Sequence, residues 1–182
     1  MENKHLLFLI VGETGSGKDT VVKELNMNPV ISYTTRPKRD TETNGKEHYF
    51  ISDKEMDQLE KSNNIFAWTR IGNIRYCSTI DEVLKKDIYI INPDGIDSII
   101  HNTVIKTIVI GITAPYETRV ERCKNRSDFN SAFLDRVSAE QNDFDKFKVD
   151  TKYDYLINNK DLNTTIKVVK QIIETEKRNF NL

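Results

Sequence analysis

Apolar positions fall into short continuous runs, and the stretches between them carry helical spacing. Leu6-Leu7-Phe8-Leu9-Ile10-Val11 is uninterrupted and ends at a glycine. Such a run predicts a strand buried on both faces, and Lys18 to Leu25 behind it predicts a helix. The breaker cluster Asn26-Met27-Asn28-Pro29 precedes a short extended piece, Val30-Ile31-Ser32. Tyr49-Phe50-Ile51, Ile65 to Arg70 and Ile74-Arg75-Tyr76 predict short strands, with a helix from Asp53 to Lys61 capped by Asp53. Further on, Ile88 to Ile91, Ile105 to Ile112 and Tyr155-Leu156-Ile157 predict strands. Helices are expected over Thr79 to Lys86, Gly95 to His101, Tyr116 to Cys123, Ser131 to Phe147 and Leu162 to Lys177. Strands alternating with helices predict an α/β fold with a parallel sheet covered on both faces.

Composition narrows the class. A chain of 182 residues suits one compact domain, or one core with small insertions. With 37% hydrophobic and 30% charged residues it reads as soluble and globular. A formal net charge of −1 leaves no electrostatic footprint for nucleic acid, so anion binding must come from local clusters of Arg and Lys. Cys77 and Cys123 are too few for a disulfide framework and lack zinc-site spacing, so reduced thiols and a cytoplasmic location are expected. The first apolar run is too short to span a membrane and lacks a cleavage-site pattern, so neither a membrane partner nor a signal peptide is expected.

Chemistry concentrates just after the first strand, in Gly12-Glu13-Thr14-Gly15-Ser16-Gly17-Lys18-Asp19-Thr20. Gly-x-x-x-x-Gly-Lys is satisfied by Gly12, Gly17 and Lys18. Glycines let successive N–H groups turn inward around a phosphate, a helix N-terminus adds partial positive charge, and the lysine reaches the β- and γ-phosphates. A nucleoside triphosphate site follows. The Ser/Thr usual after the lysine is Asp19, with Thr20 one place later. Downstream, Tyr33 to Gly45 is polar, closes on an Asn-Gly turn signal, and holds Arg36 and Arg39 around Lys38. Arginine's planar fork matches phosphate oxygens in pairs. On composition alone this segment suits a second phosphate or a solvated basic loop equally.

Ser32-Tyr33-Thr34-Thr35-Arg36-Pro37-Lys38-Arg39, followed by Glu42, Asn44-Gly45 and Tyr49-Phe50, resembles the signature of guanylate kinases. The resemblance continues through Trp68, Gly72-Asn73 and Tyr76-Cys77-Ser78-Thr79, where the family has Tyr-Gly-Ser-Thr, to Tyr153-Asp154 and Ile157-Asn158-Asn159 near the end. It implies a P-loop core of parallel sheet and flanking helices over residues 1–32 and 79–182, with a helical lid at about 124–137. It also implies a small mixed α/β insertion at 33–78 that holds a nucleoside monophosphate. The implied reaction is ATP-dependent phosphoryl transfer with Mg²⁺, (d)GMP being the family's acceptor, by a monomer or homodimer. Residue by residue, the resemblance assigns ATP to Gly12 through Thr20 and to Asn159. It assigns the acceptor to Ser32, Arg36, Arg39, Glu42, His48, Tyr76, Ser78 and Asn92, and catalysis to Lys18, Arg126 and Arg136. Thr20 and Asp94 are the candidates on the metal side. Arg119, Arg122 and Arg126 share one helix face if the helix persists, with a solvated helix paired to Glu117 and Glu121 as the alternative for the first two.

Departures fall on the acceptor base and the metal. The family's carboxylate before the tryptophan is Ala67, its strand-end aspartates are Ile90 and Asn92, and its phosphate-side tyrosine is His48. Two alternatives follow. One is a kinase for another deoxynucleoside monophosphate, modified ones included; the other is an inactive guanylate-kinase-like binding module. Such modules usually lack a functional phosphate loop.

Overall fold

The computed structural model describes residues 5–40, 42–99, 104–124 and 131–180, without the side chains at positions 131–133, 135, 136, 139, 141 and 142. In chain order the elements are β1 (His5–Val11), α1 (Lys18–Glu24), β2 (Tyr33–Thr34), β3 (Tyr49–Phe50), α2 (Asp53–Lys61), β4 (Ile65–Ile71), β5 (Ile74–Thr79), α3 (Ile80–Val83), β6 (Ile88–Ile90), α4 (Pro93–Asp97), β7 (Ile105–Thr113), α5 (Tyr116–Cys123), α6 (Ser131–Val149), β8 (Tyr155–Asn158) and α7 (Leu162–Asn179). One sheet has the order β6-β1-β7-β8, parallel as the alternation predicts; the other has the order β3-β2-β5-β4. The chain divides into two compact units, residues 1–7 with 28–106 and residues 8–27 with 107–182.

In the unit of residues 8–27 and 107–182, Phe8 to Val11 have no exposed surface, as a centrally placed strand requires. β7 pairs in parallel with β8, Ile110 opposite Tyr155 and Thr113 opposite Asn158, which brings the ends of both strands level. α7 starts where Asp161 accepts the Thr164 N–H, and it buries Thr165, Val169 and Ile173, a stripe at helical spacing.

In the unit of residues 1–7 and 28–106, the second sheet is mixed. β2 runs parallel to β3 and antiparallel to β5, and β4 and β5 form a hairpin through Gly72 at φ 59°. Met56 of α2 packs on Ile65 and Cys77, with Tyr33, Ile51 and Leu59 around them. Arg75 clamps the outer side of α2 through Asp53, Asp57 and Glu60.

Several boundaries differ from the sequence expectation. The cap of α2 is Ser52, not Asp53: its hydroxyl accepts the Glu55 N–H and the Glu55 carboxylate takes the Ser52 N–H at 2.7 Å, a reciprocal capping box. Strand pairing starts at Tyr33, while Val30 makes one bond to Ile88 O beside an isolated bridge at Pro29. α3 is shorter than the span from Thr79 to Lys86. α4 begins at Pro93, ahead of Gly95, because Asn92 caps it and proline suits a first turn; His101, the expected end, lies outside the described residues. No helix among the described residues is long and apolar enough to cross a membrane.

Candidate active site

The loop from Gly12 to Lys18 links β1 to α1 and depends on glycine for its path. Gly15 and Gly17 take φ of 81° and 91°, the left-handed region, and a Cβ on Gly15 would lie 2.5 Å from the carbonyl oxygen of Arg119. The loop's carbonyls are held by donors. Ser16 O accepts from Asn159 Nδ2 at 2.8 Å and from Arg122 Nη1 at 3.2 Å, while Arg119 Nη1 reaches Thr14 O at 3.3 Å. Asn159 is fixed in turn by Thr165 Oγ1 at 3.0 Å and by Arg122 Nη2 on its carbonyl at 2.9 Å. Arg119 is 1% exposed, which overturns the solvated-helix alternative for that residue; Arg122 is exposed, yet its guanidinium donates to Ser16 O and Asn159 O instead of pairing with Glu117 or Glu121. Lys18 is largely buried, 3.6 Å from the carboxylate of Asp19, which itself stands 80% exposed. Thr20 is exposed.

Glu13 contributes a buried carboxylate as well as backbone. It accepts from Thr113 Oγ1 and Lys148 Nζ, each at 3.1 Å, with the guanidinium of Arg119 at 3.8 Å. Glu140 of α6 takes the Thr14 N–H at 2.9 Å and the Thr14 hydroxyl at 2.8 Å. A cavity of about 520 Å³ opens beside the loop, between Glu13, Lys148 and Arg119 and the wall of Pro115, Tyr116 and Asn158.

The other unit contains all eight residues assigned to the acceptor. Arg36 meets Glu42 end-on, Nη1 to Oε2 at 3.0 Å and Nη2 to Oε1 at 2.7 Å, and Nη1 also reaches Pro37 O at 2.9 Å. A guanidinium has five donors, so the Nε–H and one Nη2–H stay on the edge away from Glu42. The Arg39 N–H also donates to Glu42, while the Arg39 side chain is exposed. Hydrogen bonds from Arg36 pull the Glu42 carboxyl down to about 2. His48 lies edge-on to Phe50 and Tyr76, its Nδ1 2.9 Å from the Ser32 hydroxyl. Burial and the neighbouring Arg36 lower its pKa, which favours a neutral ring. Ser78 is fully buried, and the buried phenol of Tyr89, pushed up to about 12 by burial, faces Ser78 and Ser32. Asn92 is occupied in capping: its Oδ1 accepts the Gly95 N–H at 3.0 Å and its Nδ2 reaches Thr69 at 3.4 Å. Ala67 is buried beside the exposed Trp68, and Asp94 is exposed in the first turn of α4.

The chain as a whole resembles known proteins. The chain matches the family model described as guanylate kinase over residues 4–176. It belongs to the guanylate kinase family. It is 30% identical to a guanylate kinase of Rickettsia prowazekii (strain Madrid E), over 98% of this chain and 96% of the relative. To one of Rickettsia typhi (strain ATCC VR-144 / Wilmington) it is 28% identical, over 99% and 96%. A crystal structure of guanylate kinase from Anaplasma phagocytophilum has the same fold, with a TM-score of 0.68 at 21% identity over 96% of this chain and 87% of that one.

Within this family frame some assignments cannot be placed. Arg126 lies outside the described residues, and so does the side chain of Arg136. Among the described residues no group of three or more His, Cys, Asp or Glu side chains is set to hold a metal. Sequence reasoning missed the side-chain roles of Glu13, Glu140, Lys148 and Thr165. Only Asp161, the cap three residues before Thr164, fixes in advance how α7 presents Thr165; nothing local marks the other three.

Proposed function

We propose that this chain transfers the γ-phosphoryl group of ATP to GMP or dGMP. An oxygen of the acceptor's phosphate attacks the γ-phosphorus, the bond to the β-phosphate oxygen breaks, and ADP leaves with the electron pair. The observation that carries this reading is the braced loop ending in Lys18, in a chain that matches the guanylate kinase family model over residues 4–176. The attacking oxygen is already anionic, so positioning and charge neutralisation suffice and no general base is required. Lys18 neutralises the moving group. Arg36 offers its Nε–Nη2 edge to the acceptor phosphate, with the exposed Arg39 beside it in sequence, and Glu42 orients Arg36. Ser32, Ser78, His48 and Tyr76 line the acceptor's place, and Arg126 and Arg136 are assigned to the lid. Asn92, as a cap, holds the turn at the end of β6.

Mg²⁺ fits this chain as a cation brought by the triphosphate. It binds through few protein ligands plus phosphate oxygens. Thr20 and Asp19 follow Lys18 directly and are open to solvent, which suits them, with Asp94 as a further candidate. When bound, the cation screens phosphate charge. The intact loop argues against an inactive module. Buried Cys77 and Cys123 suit a reducing compartment, which supports a cytoplasmic location.

The test is a panel of ribo- and deoxynucleoside monophosphates with ATP and Mg²⁺, read by ADP release. GMP and dGMP are expected to lead, and Lys18→Ala to fall below about a tenth of wild-type turnover, since loss of such a donor costs on the order of 3 kcal/mol. A Lys18→Ala protein above that level, or an acceptor other than a guanine nucleotide in first place, overturns the reading.

A further inference from the structure

We propose that Glu140 sets how the phosphate loop ranks nucleotides by the length of their phosphate chain, because its carboxylate occupies the loop as an internal anion. Both oxygens of Glu140 are engaged by one residue: Thr14 donates its N–H at 2.9 Å and its hydroxyl at 2.8 Å. A planar anion held at two points by a loop amide and a loop hydroxyl is the contact a phosphate makes with such a loop. One N–H cannot serve both, and the two anions repel at that range. The second tie between α6 and the loop, Lys148 to Glu13 at 3.1 Å, keeps the helix in place while Glu140 lets go.

Position along the loop decides which phosphate competes. The N–H groups at the start of α1 lie at the helix end, where a P-loop takes the inner phosphates, and Lys18 reaches out from there to the β- and γ-phosphates. Thr14 lies toward the strand end, which leaves it for the terminal phosphate of a triphosphate. ATP must therefore displace Glu140, whereas ADP leaves the clasp closed. Glu140 thus weakens the donor relative to the product, and favours release of the loop's outer half once the γ-phosphoryl group has gone. The inference rests on ATP being the ligand of this loop.

The experiment is calorimetric titration of the full chain with ATP and with ADP, each in EDTA and in Mg²⁺, for wild type and Glu140→Gln. Gln keeps the shape and one acceptor oxygen and removes the charge. In EDTA, ATP affinity is expected to rise about tenfold and ADP affinity to change less than about twofold. Equal changes for both nucleotides, no change, or weaker ATP binding overturn the proposal. Loss of affinity confined to ATP with Mg²⁺ also overturns it, since the carboxylate would then serve the cation. If Glu140→Gln does not fold, Glu140→Ala removes the internal anion and leaves Thr14 intact, and the ATP-to-ADP affinity ratio should move the same way; an unchanged ratio refutes. Failure of the underlying assignment looks different: neither nucleotide binds the wild type.

Discussion

Replacing Arg36 by lysine keeps the charge and removes the fork. In the native protein the end-on edge of the guanidinium is committed to Glu42 at 3.0 and 2.7 Å, and only the Nε–Nη2 edge remains for a phosphate. Lysine has one ammonium for both partners. If it pairs with Glu42 the acceptor loses two charge-assisted bonds; if it turns to the acceptor, Glu42 is left largely buried and without its cation, its side chain only 11% exposed. A charge-assisted bond is worth ~1.5–3 kcal/mol net, so either outcome costs about 3 kcal/mol, on the order of 100-fold in kcat/KM. The loss should appear mainly in the acceptor KM, because the group holds the ground state as well as the transition state. Steady-state kinetics over a GMP series at saturating ATP measure it. An acceptor KM within about threefold of wild type, with kcat unchanged, refutes the argument that Arg36 grips the phosphate by a fork.

Three further outcomes are expected. Asn159→Ala leaves the buried Thr165 hydroxyl without its acceptor and strips a 2.8 Å bond from Ser16 O; at about 2 kcal/mol this lowers the melting temperature by roughly 4–8 °C, and a shift under about 1 °C in calorimetry contradicts it. Because Glu42 titrates at about 2 in the fold against 4.5 unperturbed, its contribution is present above about pH 4.5 and is lost as pH falls toward about 2; urea unfolding across that window should show a slope that Glu42→Gln flattens, and identical slopes would refute it. Cys77 is buried with its thiol pushed up to about 12, so it should resist thiol reagents near pH 8 in the native protein and react once unfolded, with rapid native labelling as the contrary result.

The phosphate loop is legible because its signal is local: an apolar run, glycines where φ turns positive, and a lysine at a helix start. The cap of α2 is a near miss between adjacent residues. Ser52 and Asp53 both cap helices, and Glu55 three places after Ser52 is the sign that selects the serine. Asn92 shows positional analogy against local physics, since an Asn-Pro pair with a glycine three residues beyond the Asn describes a helix cap. Arg119 and Arg122 show their common face through spacing, but spacing does not say which face is buried. Glu13 with Lys148, and Thr14 with Glu140, leave no sequence trace, because each pair joins distant parts of the chain and a charge on a helix looks solvated until the tertiary partner is known.

The double hold on Ser16 O reaches beyond that atom. A carbonyl and the next residue's N–H share one rigid peptide plane and point in opposite directions. Asn159 and Arg122 fasten the oxygen, and so they aim the N–H of Gly17; Arg119 on Thr14 O does the same for the N–H of Gly15. Both glycines have freely turning neighbours in principle, yet neither plane can flip without breaking a bond to a buried side chain. The loop therefore meets an anion with its dipoles already turned, and the reorganisation that a floppy glycine loop would undergo at each encounter has been completed during folding.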